Sequence, residues 1–214
     1  MAIDVVIVGA GGFGREVLGI IRAINRTAGE PVWSVLGFVD DALDEADLKR
    51  VRHLDVPLLG PLQWLDGRPP TTHVVIGVGS PAARRRIDDR LRQFGLPAAT
   101  IVHPGAEIGP DCSYQEGFVA AGGVRVTTNV SIGRHVHLNL NVTVGHDCLL
   151  GDFVTVNPLA AISGSTTVGS GVLVGTTAAV LQKLTVGADS TVGAGACVVR
   201  DVPAGVVVKG VPAR

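Results

Sequence analysis

The chain has 214 residues, 46% of them apolar, which is enough for two modest domains with cores of their own. Its 18 basic and 19 acidic residues nearly cancel, 12 against 12 in residues 1–105 and 6 against 7 in the remainder, which excludes the basic footprint of a nucleic-acid or membrane-surface protein. Twenty-nine glycines, a single methionine and 4% aromatics suit a narrow, turn-rich β architecture, and Cys112, Cys148 and Cys197 lack CxxC spacing and read as reduced, packed thiols.

In chain order, Ile3 to Val8 reads as a buried strand that ends at glycines. With no basic stretch ahead of it and no cleavage site after it, a cytoplasmic protein is expected. Phe13 to Asn25 carries Val17, Ile20, Ile21 and Ile24 at helical spacing. Between the two lies Gly9-Ala10-Gly11-Gly12-Phe13-Gly14, a GxGxxG loop directly after a strand and opening a helix, where a phosphate-bearing ligand can approach a helix N-terminus. Trp33 to Val39 is a second strand, and Asp40 at its end is a candidate ribose or base contact. Val56 to Leu59 forms a short third strand and His73 to Val78 another. Pro81 to Phe94 is a basic helix with Ser80 as N-cap, and its Arg84-Arg85-Arg86 run reads as a solvated face. Ala98 to Val102 leads out. This βαβ order predicts a small Rossmann-like parallel sheet flanked by helices over residues 1–104. The loop alone suggests NAD, but the second domain is not one able to place a hydride acceptor.

From Ile108 the chain follows a period of six. Sixteen consecutive positions six apart, from Ile108 to Val198, are all apolar or aromatic. The column four residues later, from Cys112 to Val202, is small or β-branched nearly throughout, and no charge falls in either. An unpaired charge in an apolar core costs several kcal/mol, so the two columns mark the inside of a coil and the remaining positions its outside. Glycine dominates the position after the first column (Gly109, Gly133, Gly145, Gly151 and four more), where it is expected to permit tight corners. The register puts Cys112 and Cys148 inside. His135, His137, His146 and Asn139 fall outside, which makes them surface or cleft residues.

The repeat resembles the hexapeptide acyltransferases, in which three hexapeptides make one triangular, left-handed coil, so residues 105–214 are expected to form a left-handed parallel β-helix of a little over five coils with a C-terminal tail. The segment His146-Asp147-Cys148 followed by Leu149-Leu150-Gly151-Asp152-Phe153 is similar to that of the bacterial nucleotide-sugar N-acetyltransferases of the bacillosamine and perosamine type, and of the sialic-acid O-acetyltransferase-like proteins. Gly9 to Gly14, Phe38-Val39-Asp40-Asp41 and Val75-Ile76-Gly77-Val78-Gly79 extend the likeness over essentially the whole chain, although several members carry histidine where this chain has Phe13.

The resemblance implies an acetyl-CoA-dependent sugar acetyltransferase, a homotrimer with active sites between subunits, and no resident metal. It makes His146 the general base and Asp147 the carboxylate that orients it. Asn139 would contact the sugar, and the glycine loop (Gly9, Gly11, Gly12, Phe13, Gly14) with Asp40 would hold the nucleotide. Thr155 stands where members have a second histidine that contacts the acetyl carbonyl. Gly164, Thr176 and Ala194 match the cleft for the pantetheine arm, with the backbone N–H of Gly164 as oxyanion donor, and Lys209 in the tail would meet CoA phosphates. O-acetylation of a sugar by the same machinery is the alternative. A zinc carbonic anhydrase on the same β-helix is a remote one, prompted by His135, His137 and His146.

Overall fold

A computed structural model describes residues 1–214. The N-terminal part is a four-stranded parallel sheet of β1 (Ile3–Val8), β2 (Trp33–Val39), β3 (Leu58–Gly60) and β4 (His73–Ile76), in the order β3-β2-β1-β4. Helix α1 (Gly12–Thr27) buries Val17, Leu18, Ile20 and Ile21 against it. Helix α3 (Pro81–Leu91) starts at Ser80, whose hydroxyl accepts from the Ala83 N–H as expected, and continues as a 3-10 turn to Phe94. Between them α2 (Glu45–Arg52) was not anticipated. It buries only Val51, so it carries no apolar stripe.

No linker joins the two parts. Ala98 bridges Val74 of β4, and only three residues later β5 (Ile101–Val102) pairs with Val119–Ala120 of the second part. The β-helix therefore begins at Ile101, ahead of the expected 104/105 boundary. Ala99, Ile101, Val119 and Ala121 share one buried cluster with Val17, Ile21 and Phe38.

Sixteen two-residue strands follow, β6 (Glu107–Ile108) to β21 (Cys197–Val198), each six residues after the last, then β22 (Val207–Val208). From β5 to β18 each strand pairs in parallel with the one 18 residues on, as in His137↔Thr155 and Leu138↔Val156, and β20 pairs with β22 to close the last coil, which makes three faces of a left-handed parallel β-helix. The first face holds β6, β9, β12, β15, β18 and β21; the second β7, β10, β13, β16 and β19; the third β5, β8, β11, β14, β17, β20 and β22. The predicted inward columns are the core: Val136, Leu138, Val142, Val144, Val154 and Val156 are all fully buried, each contributing roughly 1.5–3 kcal/mol.

The corner glycines have a different purpose from the one expected. The left-handed backbone of the corners falls two residues later, on Asp111, Asn129, His135, Asn141, Asp147 and others with φ between 50 and 63°. Gly145, Gly151 and Gly169 are required because a Cβ there would lie 2.5–2.6 Å from a backbone N–H of the next coil. No helix is long and apolar enough to cross a membrane.

Candidate active site

His146 lies on the edge between the first and second faces, two residues past Val144, with its side chain exposed. Its Nδ1 is 2.6 Å from Asp147 Oδ2. Neighbouring side chains on extended backbone point apart, and the left-handed turn at Asp147 (φ 58°) folds the carboxylate back onto the ring. The other oxygen, Oδ1, accepts from Asn129 Nδ2 at 2.7 Å, one coil earlier. The Asn129 hydrogen bond, then the one to His146, hold the Asp147 carboxyl below its ordinary pKa. An ionised acceptor at Nδ1 assigns the proton there and leaves the Nε2 lone pair free to accept one.

Gly164 sits one coil on, directly beside the imidazole: a Cβ at this position would lie 2.6 Å from Nε2. Its N–H makes no hydrogen bond within the chain. Cys148 is buried as the register required, donating to Ser163 O at 3.2 Å, and burial pushes its thiol up, away from the nucleophilic form. All three cysteines are free.

The other outward residues are not surface residues. His135, His137 and Asn139 do point away from the coil, but the N-terminal domain lies over the third face and leaves them 1%, 0% and 6% exposed. His137 stacks on Phe13 with ring centroids 4.7 Å apart, and neither of its nitrogens has a partner. Desolvation first, then Arg84 and His135, holds it neutral, well below 6.5. His135 Nε2 meets Asp88 Oδ1 at 2.9 Å across the junction. Asn139 donates to Asn157 Oδ1 at 3.2 Å.

Arg84, expected on a solvated face, is fully buried at this junction and is the functional-looking residue that the sequence hid most completely. Its guanidinium donates to the carbonyls of Val78, Gly79, His135, Phe153 and Val154 and to Thr155 Oγ1. Burial pushes its pKa down to about 9. Thr155 is thereby corrected as well: its hydroxyl donates to Gly79 O at 2.8 Å and accepts from Arg84, so its one proton is spent on the domain junction. A signal existed, because Pro81, Arg84, Asp88 and Leu91 recur at helical spacing and form the buried side of α3.

In the N-terminal domain a cavity of about 170 Å³ opens beside the glycine loop, bounded by Gly9, Val39, Asp40, Asp41, Val78 and Arg90 among others. Asp40 accepts from Ala10 N and Ala42 N, both at 2.9 Å, and so ties the loop to the end of β2. Asp41 accepts from Leu62 N and from Arg90 at 2.6 Å, which hold its carboxyl low. Gly9 has φ 99°, and Gly14 packs so tightly that a Cβ would run into the Gly9 carbonyl. Gly11 and Gly12 have no such crowding and leave the start of α1 open.

The structure thus brings together Phe13, His137 and the glycine loop, and separately His146, Asp147 and Gly164. Thr176 and Ala194 are exposed on another edge, between the third and first faces, with Lys209 alongside Gly193. No group of three or more His, Cys, Asp or Glu is placed to hold a metal ion.

Residues 4–91 match the family model described as the PglD N-terminal domain. Over 159 residues the chain is 31% identical to the GDP-perosamine N-acetyltransferase of Escherichia coli O157:H7, spanning 74% of this chain and 69% of that protein. The acetyltransferase domain of PglB from Neisseria gonorrhoeae FA1090, solved in complex with acetyl coenzyme A, superposes with a TM-score of 0.88 at 30% identity over 100% of this chain and 99% of that one. PerB from Caulobacter crescentus, solved in complex with CoA and GDP-perosamine, gives 0.85 at 31% identity over 99% and 96%.

Proposed function

This chain belongs to the hexapeptide-repeat sugar acetyltransferases and is an acyltransferase, and from that premise we propose that it transfers the acetyl group of acetyl-CoA to the amine of a nucleotide-linked amino sugar. The observation that carries the mechanism is the His146–Asp147 pair, with Nδ1 committed to the carboxylate and Nε2 free beside Gly164. The amine nitrogen attacks the thioester carbonyl carbon, its proton passes to Nε2, the carbon–sulfur bond breaks, and CoA leaves as the thiol once that proton is returned. The unpaired Gly164 N–H supports its assignment as the donor to the developing oxyanion. No acyl-enzyme forms, since the cysteine nearest His146 in sequence is turned into the coil.

The nucleotide is held at the glycine loop and the cavity beside Asp40, while Asn139, buried at the domain junction, has no open path to the sugar in the single chain. That site covers the third face, whereas His146 is on the edge between the first and second. This separation supports a homotrimer in which the base of one subunit serves a sugar held by its neighbour, with Thr176, Ala194 and Lys209 of a second edge lining the path of the pantetheine arm.

The test is thiol release from acetyl-CoA with a panel of UDP-, GDP-, TDP- and CMP-linked amino and hydroxy sugars and the free sugars. Release with a nucleotide-linked amino sugar is expected. Turnover confined to hydroxy sugars would replace the reading by O-acetylation. Mixing His146→Ala with a variant disabled in the glycine loop should restore part of the activity if subunits share a site.

A further inference from the structure

The His146–Asp147 contact lies in solvent, with both side chains about half exposed or more. Water competes for such a contact, and an aspartate free to turn about its two side-chain torsions would leave the ring unoriented much of the time. Something must hold the carboxylate if the contact is to persist. The hexapeptide register provides it. Asn129, Asp147 and Ser165 occupy the same corner position on three successive coils, with φ of 54, 58 and 58°. Asn129 is anchored through its own N–H, which donates to Pro110 O at 3.1 Å on the coil before. From that fixed point its carboxamide donates to Asp147 Oδ1 at 2.7 Å and leaves Oδ2 aimed at His146.

We propose that Asn129 is a positioning residue for the transfer reaction: its carboxamide clamps Asp147 so that the carboxylate keeps His146 in the Nδ1–H form with Nε2 presented to the substrate. The inference rests on His146 acting as the base. The donor has to be a neutral amide. A carboxylate at 129 has the same shape and tolerates the same left-handed backbone, but it cannot donate and repels Asp147.

The experiment uses Asn129→Asp and Asn129→Ala in the intact enzyme. For both, kcat should fall about tenfold, more for Asp, with KM for both substrates within about twofold of wild type. In an Asp147→Ala background Asn129→Ala should cause no further loss, since the clamp has nothing left to hold. Nitrogen-15 spectra of labelled histidine should show His146 as a single Nδ1–H tautomer in the wild type and as a mixture in Asn129→Asp. The isosteric Asp variant answers the concern that Ala disturbs the coil. Full kcat with Asn129→Asp, equal losses in both backgrounds, or an unchanged His146 spectrum would each overturn the proposal. If instead His146→Ala keeps its turnover while the spectrum still responds to Asn129, the base assignment is what fails and the clamp stands as a structural one.

Discussion

Gly164→Ala tests the geometry around His146, the proposed base, most sharply. The new Cβ would lie 2.6 Å from Nε2 and 2.7 Å from Cε1 of His146. Carbon atoms in ordinary contact sit about 3.5 Å apart, so the ring must retreat by roughly 0.8 Å or swing away. The obstruction meets the outer end of an exposed side chain, so the displacement is easy and the fold does not resist it. Gly164 has no positive φ, and alanine there reduces the freedom of the unfolded chain, so stability should stay level or rise by about 0.4–1 kcal/mol. A misplacement near 1 Å costs about a hundredfold in rate. The expected result is kcat down about a hundredfold with an unchanged or slightly raised Tm, measured by thiol release and thermal unfolding. Gly145→Ala is the contrast: its Cβ would meet the backbone N of Gly164 at 2.6 Å, so it should lower Tm as well. Wild-type kcat in Gly164→Ala would refute the placement of Nε2 at this corner as the reacting atom.

His146→Ala should lower kcat by about 10²–10⁴ while CoA affinity and Tm persist. Arg84→Met should destabilise by about 3–5 kcal/mol in denaturant titration, because the carbonyls of Val78, His135 and Phe153 have no other donor and would be left buried and unpaired. His137 is held neutral in the folded state, so acidification protonates only the unfolded chain. Stability should fall by about 1.4 kcal/mol per pH unit below about pH 6.5, a slope that His137→Phe removes. Gly14→Ala should prevent folding of the N-terminal domain, whereas Gly11→Ala, whose Cβ meets nothing closer than Asp47 at 3.6 Å, should fold normally and weaken only nucleotide-sugar binding in calorimetry.

The β-helix was legible in detail because each of its sixteen hexapeptides repeats one physical requirement, an apolar residue where the coil closes on itself. The same register misled at His135 and His137. Periodicity separates the inside of the coil from its outside, but it carries no information about what covers the outside, and here an entire domain does. Helix α2 was missed for the opposite reason. It has one buried residue, and its signals are electrostatic: Asp44 capping the Asp47 N–H, acids in the first turn, and Lys49, Arg50 and Arg52 in the last. Arg84 was misread because a buried cation leaves the same mark in sequence as a solvated one, and only the carbonyls it meets 51 to 70 residues away distinguish them. The roles proposed for His146 and Asp147 come from resemblance, while the Asn129 contact came to light only when two consecutive coils were stacked.

The missing linker bears on how such an enzyme can diversify. A nucleotide-binding module attached by a flexible tether can be exchanged for another wholesale. Here the sheet runs into the first coil within three residues, and Arg84 reads three carbonyls of the β-helix, those of His135, Phe153 and Val154, by their spacing. A transplanted domain would have to match that surface atom for atom. With the nucleotide-sugar site proposed above, new acceptor sugars would be reached by point changes around the glycine loop and its cavity, and a lineage of such proteins should vary at Phe13 or Ala42 long before it trades one domain for another.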